Sequence, residues 1–215
     1  MTSQTKYLLM SGILFAGLLF GFLWKQQKQI WMDQFEQEVK KNNAIVVGKL
    51  ESNKKMLASI VSHFHSSKRV SRKSFQLFVD PLLKNNSFMQ ALEWVPKVSG
   101  SERETYEEKA RSEGFSNFQF IERSQQGKMV SAGIREEYFP VYYLEPYMGN
   151  QAALGFDLTS NPARLSSLQN SRDSGKPVAT SKIGLLQEKQ KQVGFLVIYP
   201  HYKTENIPLS IAERR

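Results

Sequence analysis

Eighteen consecutive residues without a charge, Tyr7 to Trp24, set the first constraint on this chain, and Lys6 and Lys25 bracket them. A helix rising ~1.5 Å per residue makes the run ~27 Å long, close to the ~30 Å hydrocarbon core of a bilayer once flanking side chains reach outward. A cleaved signal peptide is the competing reading. Trp24-Lys25-Gln26-Gln27-Lys28 offers no small-residue cleavage site, so residues 7–24 are expected to be an uncleaved transmembrane helix. Local charge does not orient it, since Lys6 and the α-amine lie on one side and Lys25 and Lys28 on the other.

From Gln26 to Ser66 there is no proline, and apolar residues fall in two rows at seven-residue spacing. Val39, Val46 and Ile60 form one row, and Leu50, Leu57 and Phe64 the other, with Asn53 and Asn43 as polar interruptions. This is the seam pattern of a coiled coil, where a polar residue lowers stability but can set register and oligomer state. The same stripe also suits a helix packed against its own domain, and both readings stand. Residues 25–66 are expected to form a long stalk helix, which Gly48 weakens by up to about 1 kcal/mol relative to alanine.

Basic residues outnumber acidic ones 29 to 20, which raises nucleic-acid binding as a function class. They are spread along the chain, however. The densest cluster, Lys68, Arg69, Arg72 and Lys73, has no interleaved aromatics and no recognised module around it. No nucleic-acid partner is expected. The absence of cysteine removes disulfides, thiolate metal sites and a cysteine nucleophile together.

Ser71 is placed to cap a second helix that Pro81 disrupts near its end, with Phe75, Leu77, Phe78, Leu82 and Leu83 as core residues. A first strand reads Met89 to Val95. Ser101 and Glu104 then form a capping box opening a helix that ends at Gly114. Phe118 to Ile121 is extended, followed by a turn at Ser124-Gln125-Gln126-Gly127.

The stretch from Arg135 to Pro200 is the densest in structure-forming signals. Arg135-Glu136-Glu137-Tyr138-Phe139-Pro140-Val141-Tyr142-Tyr143-Leu144-Glu145-Pro146 is β-rich and aromatic. Asn161 as N-cap, Pro162 at the first helical position and Gly175 just past the end mark a helix. Val178 to Leu186 and Val193 to Pro200 read as two further strands. Strand, helix, strand, strand predicts an α+β fold, a sheet carrying a helix on one side. If Tyr138 points inward, Pro140 and Tyr142 share its side while Val141 and Leu144 face the other way.

Catalysis is not indicated. Glu136, Glu137, Glu145 and Asp157 supply carboxylates, but nothing in their spacing fixes two of them across a substrate. His63 and His65 fall on different helix faces, so no metal site forms from them, and they read as solvated residues at a helix end. No phosphate-cradling loop is present, and no catalytic residue, metal or cofactor is assigned. The aromatics Tyr138, Phe139, Tyr142, Tyr143 and Phe156 suit either an ordinary core or the walls of a small-molecule pocket. Arg135 is expected to pair with Glu136, Glu137 or Asp157, and Asp157 to fix a turn or bind a ligand.

Six segments, taken in order, resemble the CHASE domain, an extracytoplasmic sensor of receptor histidine kinases, diguanylate cyclases and the plant cytokinin receptors. They are Ala91-Leu92-Glu93-Trp94-Val95-Pro96-Lys97-Val98, Glu102-Arg103 with its helix, Arg135-Glu136-Glu137-Tyr138-Phe139-Pro140-Val141, Glu145-Pro146 with Gly149-Asn150, Leu154-Gly155-Phe156-Asp157-Leu158, and Gly194-Phe195 leading to Tyr199-Pro200. The resemblance implies a PAS-like antiparallel sheet with flanking helices over residues 67–215, held outside the cytoplasm, with residues 1–6 as a cytoplasmic tail. In the cytokinin receptors an acid just after the motif arginine bonds the ligand's adenine ring, and a threonine on a later strand assists. The matching positions are Glu136 and Thr180. With Tyr138, Tyr143 and Ser181 they form the expected ligand-binding set. Glutamate in place of aspartate displaces the carboxylate by ~1.5 Å, and the segment from Glu145 to Leu158 follows the bacterial pattern, so the ligand need not be a cytokinin.

The resemblance thus implies the sensor region of a membrane receptor of histidine kinase or diguanylate cyclase type, in an inner membrane, dimeric through the long helix and binding a small molecule. By the family pattern a last strand, a second span and the output module lie beyond this chain, which carries no enzyme itself. The alternative from another class is a membrane-tethered structural or assembly protein that binds another protein.

Overall fold

The computed structural model describes residues 3–65, 70–86, 89–184, 193–204 and 207–215, with the side chains of residues 3, 5–9 and 193 outside the description. The chain divides between Asn53 and Lys54 into two units. Helix α1, Ser3–His65, starts in the first unit and supplies its final residues to the second. Ser66, Lys68 and Arg69 lie outside the described residues. Among the described side chains of the first unit the apolar ones have no cover: Phe15, Leu18, Ile30, Phe35, Val39 and Val46 are all exposed. Among the described residues no helix is long and apolar enough to cross a membrane. The uncharged run from Tyr7 to Trp24 is helical throughout, but the side chains of Tyr7, Leu8 and Leu9 fall outside the described set.

The two readings of the α1 stripe divide along its length. Ile60 and Phe64 are buried in the core of the second unit, with Met56 and Leu57 packed against it. Val39, Val46 and Leu50, on the same seven-residue rows, stay exposed. Helix α2, Arg72–Lys84, is capped by Ser71, whose hydroxyl accepts from the Ser74 amide at 3.1 Å. It buries Phe75 and Val79, one turn apart, and places Phe64 between Phe75 and Phe78, ring centroids 6.0 and 5.7 Å away. Contrary to the expected disruption, the helix continues through Pro81 to Lys84. The carbonyl that loses its donor belongs to Leu77, which is exposed, so water can replace the missing amide.

Strands β1, Leu92–Trp94, and β2, Val98–Ser99, run antiparallel to β6, Tyr143–Glu145, and β5, Glu137–Tyr138, respectively. Between the pairs Trp94↔Tyr143 and Val98↔Tyr138, residues 95–97 on one side face residues 139–142 on the other. That extra residue is a bulge, and it slips the phase of the alternation. Tyr138 and Tyr142 join one core as expected, but so does Tyr143, while Phe139, Val141 and Leu144 enter a second core. No residue of the run 138–145 is exposed.

Helix α3, Arg103–Ser112, is entered through a 3₁₀ turn whose capping box is Ser99 and Glu102, two residues before the expected Ser101 and Glu104. The Glu102 carboxylate accepts from both the amide and the hydroxyl of Ser99. Arg103 binds α3 to the sheet, donating to Glu107 at 2.7 Å and to the Ala132 carbonyl at 2.7 Å. Strands β3, Ile121–Arg123, and β4, Met129–Ser131, form a hairpin around the turn at Ser124 to Gly127.

Helix α4, Pro162–Ser174, has Asn161, Pro162 and Gly175 in their expected places. Strands β7, Val178–Ala179, β8, Ile183–Gly184, β9, Val193–Gly194, and β10, Val197–Ile198, pair as β7 with β10 and β8 with β9. Leu185 and Leu186 lie outside the described residues. A short helix α5, Ile211–Arg214, follows.

The α+β class holds, but the expected single sheet is instead a set of two-stranded antiparallel ladders. The bridges Pro140↔Asp157 and Ile121↔Phe156 join three of them sideways. The joining segment can come so close because Gly155 has φ +83°, and a Cβ there would press into the carbonyl oxygen of Gln119. Gly155→Ala is therefore expected to destabilise the fold by at least about 2 kcal/mol, read as a lower urea midpoint. An unchanged midpoint would mean that this seam carries no constraint.

Candidate functional site

Two cores flank the sheet, and they differ in polarity. The first, around Phe64, Phe75, Phe120, Tyr138 and Tyr142, is aromatic and its hydroxyls are all engaged. The Tyr138 hydroxyl donates to the Gly133 carbonyl at 2.8 Å and accepts from the Arg135 amide at 2.9 Å. Tyr142 donates to the Tyr106 carbonyl and Tyr143 to the Val70 carbonyl. Burial pushes the Tyr143 phenol up to about 12 and raises Tyr142 as well. Arg72 enters this core over the rings of Phe115 and Tyr143, 4.2 and 4.7 Å from their centroids, and its guanidinium is held by Glu113 and the Tyr142 carbonyl.

The second core, around Phe139, Val141, Leu144, Phe156, Leu158 and Leu168, contains charge. Helix α4 turns an unusual stripe inward: Arg164, Ser167, Leu168 and Ser171, spaced three and four apart, are all buried. The polar members rest on strand carbonyls. Ser167 donates to Ala179, Ser171 to Ile198 at 3.0 Å, and Arg164 Nη2 to Gly184 at 3.4 Å. The Arg164 guanidinium lies over the Phe156 ring, 4.7 Å from its centroid, and is only 5 % exposed. Its Nε is buried without any hydrogen-bond partner.

Glu93 occupies the middle of β1. Alternation puts Leu92 and Trp94 toward the first core and Ala91, Glu93 and Val95 toward the second, where Ala91 and Val95 are found. Burial pushes the Glu93 carboxyl up to about 7, against a smaller opposing pull from Arg164. Arg164 is lowered by the same cause, with Glu93 the opposing influence and Arg123 adding to the depression. The two feel each other's charge, yet among the described residues no hydrogen bond or ion pair joins them. This is a buried cation without full compensation, facing an acid that holds its proton near neutrality.

The residues expected to bind a ligand do not all meet. Glu136 is exposed at a bend, and its carbonyl accepts from the Gly100 amide at 2.7 Å. Tyr138 and Tyr143 belong to the first core, their hydroxyls spent on backbone. Thr180 is buried beside α4, at a bulge where Ser181 and Lys182 face Phe195 alone. The Thr180 amide donates to the Leu196 carbonyl at 2.9 Å, and the Thr180 hydroxyl, in place of its carbonyl, accepts the Leu196 amide at 3.0 Å. That leaves the Thr180 O–H to donate. Ser181 is exposed.

Arg135 pairs with Asp157 at 3.3 Å and with Glu122, not with Glu136 or Glu137. Glu137 pairs instead with Lys97 at 2.8 Å. Asp157 is fully buried and holds a turn, accepting from the Phe139 amide and from the amide and hydroxyl of Thr159. His63 stacks on Phe78 at 3.9 Å, and His65 sits 5.5 Å from His201, whose proton affinity burial lowers. Among the described residues no group of three or more metal-ligating side chains is placed to hold an ion.

The sequence profile of the CHASE domain matches residues 68–215. The chain belongs to the CHASE domain family. CHASE domains are extracellular sensor modules of membrane receptors such as cyclases and kinases, and are not themselves catalytic. A germination-specific adenylate cyclase of Dictyostelium discoideum is 21 % identical over 194 residues, covering 88 % of this chain and 22 % of that protein. The chain thus spans about a fifth of the length of the curated relative it matches.

Glu93 and Arg164 escaped the reading of the sequence for different reasons. Arg164 looks like a surface residue in the first turn of a helix. Glu93 did carry a signal: it is an acid sharing one strand face with Ala91 and Val95. Folding holds its proton more tightly than the unfolded chain does, so stability falls as the pH rises from about 4.5 and the loss is complete above about 7. The amplitude is on the order of 2–3 kcal/mol. Urea unfolding across this range is expected to show the slope in the native chain and not in Glu93→Gln. Equal slopes would place the carboxylate in water.

Proposed function

We propose that this CHASE domain is the ligand-binding sensor region of a membrane receptor, with a nucleotide cyclase or a kinase as the output module. In this reading the run Tyr7 to Trp24 spans the inner membrane, the domain faces the periplasm, and two copies pair along α1. The uncovered Val39, Val46 and Leu50 support the pairing, because they fall on the seven-residue rows whose later members Leu57, Ile60 and Phe64 pack in the domain. The adenylate cyclase relative supports a cyclase output. The ligand lies against the second core, beside Thr180, with Ser181 at its exposed margin.

One observation carries this reading: in a domain of a sensor family, each core encloses an arginine with an unpartnered nitrogen, but Arg72 in the first is paired with Glu113 while Arg164 in the second has no ion pair among the described residues. A protein adapted only for stability gains nothing from such a group. Ligand entry would favour one packing of the second core, and α1 shares the first core across the same strands. Binding that differs between the two packings is what moves such an equilibrium. The test is a thermal-shift screen of the full chain in detergent micelles against a library of small polar metabolites. At least one compound is expected to raise the melting temperature, and the shift is expected to shrink in Thr180→Ala. No stabilising compound, together with capture of a protein partner, would favour the tethered assembly role.

A further inference from the structure

Arg72, Arg135 and Arg164 each keep a buried nitrogen without a hydrogen-bond partner, but among the described residues only Arg164 of the three also lacks an ion pair. Its guanidinium stacks on Phe156, and only one weak bond, from Nη2 to the Gly184 carbonyl, satisfies it. The charged groups facing it are Glu93 from β1 and Arg123 from β3, and no carboxylate among the described residues pairs with it. A buried cation of this kind calls for an anion. The surroundings then narrow the choice. Phe156, Leu158, Leu168, Leu196 and Val95 are apolar, which suits a ligand with a hydrocarbon body. A carboxylate carries one charge and takes the Nε edge of a guanidinium.

We propose that the second core binds a small organic monocarboxylate, its carboxylate on Arg164 and its apolar body beside Phe156, with the Glu93 carboxyl facing the same guanidinium. The inference rests on the sensor reading and specifies its ligand class. Its chemistry has a signature. Two carboxyl groups facing one arginine cannot both stay ionised cheaply, so the arriving carboxylate drives Glu93 to take up a proton from solvent. Affinity then falls as the pH rises. A ligand offering N–H donors to an ionised Glu93 would show the opposite slope.

The test is calorimetric titration of the full chain in micelles with hexanoate and benzoate, and with hexanamide and benzamide as uncharged counterparts. The carboxylates are expected to bind at least about tenfold more tightly than the amides, with affinity falling by up to tenfold per unit from about pH 7 to about pH 8. Glu93→Gln is expected to keep binding but to lose the pH slope. Arg164→Gln is expected to abolish binding. The amide comparison and Glu93→Gln both retain Arg164, so the assignment is tested even if Arg164→Gln fails to fold. Equal binding of amides, affinity that rises with pH, or binding unchanged in Arg164→Gln would overturn it. Binding of other molecules but not of carboxylates would overturn this assignment alone, and binding of nothing would remove the sensor reading with it.

Discussion

A strand covered on both faces must draw hydrogen bonds from both edges, and the run from Tyr138 to Glu145 is such a strand. One edge takes β1 and β2. The other takes the segment around Gly155 and Phe156, which exchanges bonds with Val141 and Phe139, with the Asp157 carboxylate filling one place that a carbonyl would otherwise take. Everything else is arranged by this double coverage. The bulge opposite Pro96 decides which aromatics go to which core. Gly155 and Asp157 decide how closely β3 can approach.

The two cores solve the problem of burial differently. The first is built from rings, and each phenol it encloses finds a backbone carbonyl. It also receives the end of α1 through Ile60 and Phe64. The second is closed by a helix whose inward stripe is serine and arginine. Hydroxyls on strand carbonyls hold α4 with little apolar contact, a less adhesive arrangement than the rings opposite. Removing a buried partner from an ion costs several kcal/mol, so a core that never supplied the partner gives up stability.

Much of the local structure was legible. Asn161, Pro162 and Gly175 delimit α4 because capping and backbone restriction are local effects that a few residues settle. The coiled-coil rows of α1 were visible too, although only the structure divides them between a covered and an uncovered half. The errors were of another kind. The capping box shifted from Ser101 and Glu104 to Ser99 and Glu102 because a 3₁₀ turn precedes the helix. The alternation from Tyr138 failed at Tyr143 because a bulge depends on the partner strand, which sequence spacing does not reveal. Arg164 and Glu93 lie 71 residues apart, and only the fold brings their charges within reach of each other. The family resemblance was readable from six ordered segments, yet it pointed to Glu136 and Thr180 rather than to Glu93 and Arg164.

The central claim is that the second core holds an acid and an arginine that do not satisfy each other. Titration of the Glu93 side-chain carboxyl carbon by NMR, in the full chain in micelles without added ligand, tests it most directly. The account predicts a midpoint near 7. A midpoint at the ordinary glutamate value near 4.5 would show a solvated or fully paired carboxylate and would contradict it.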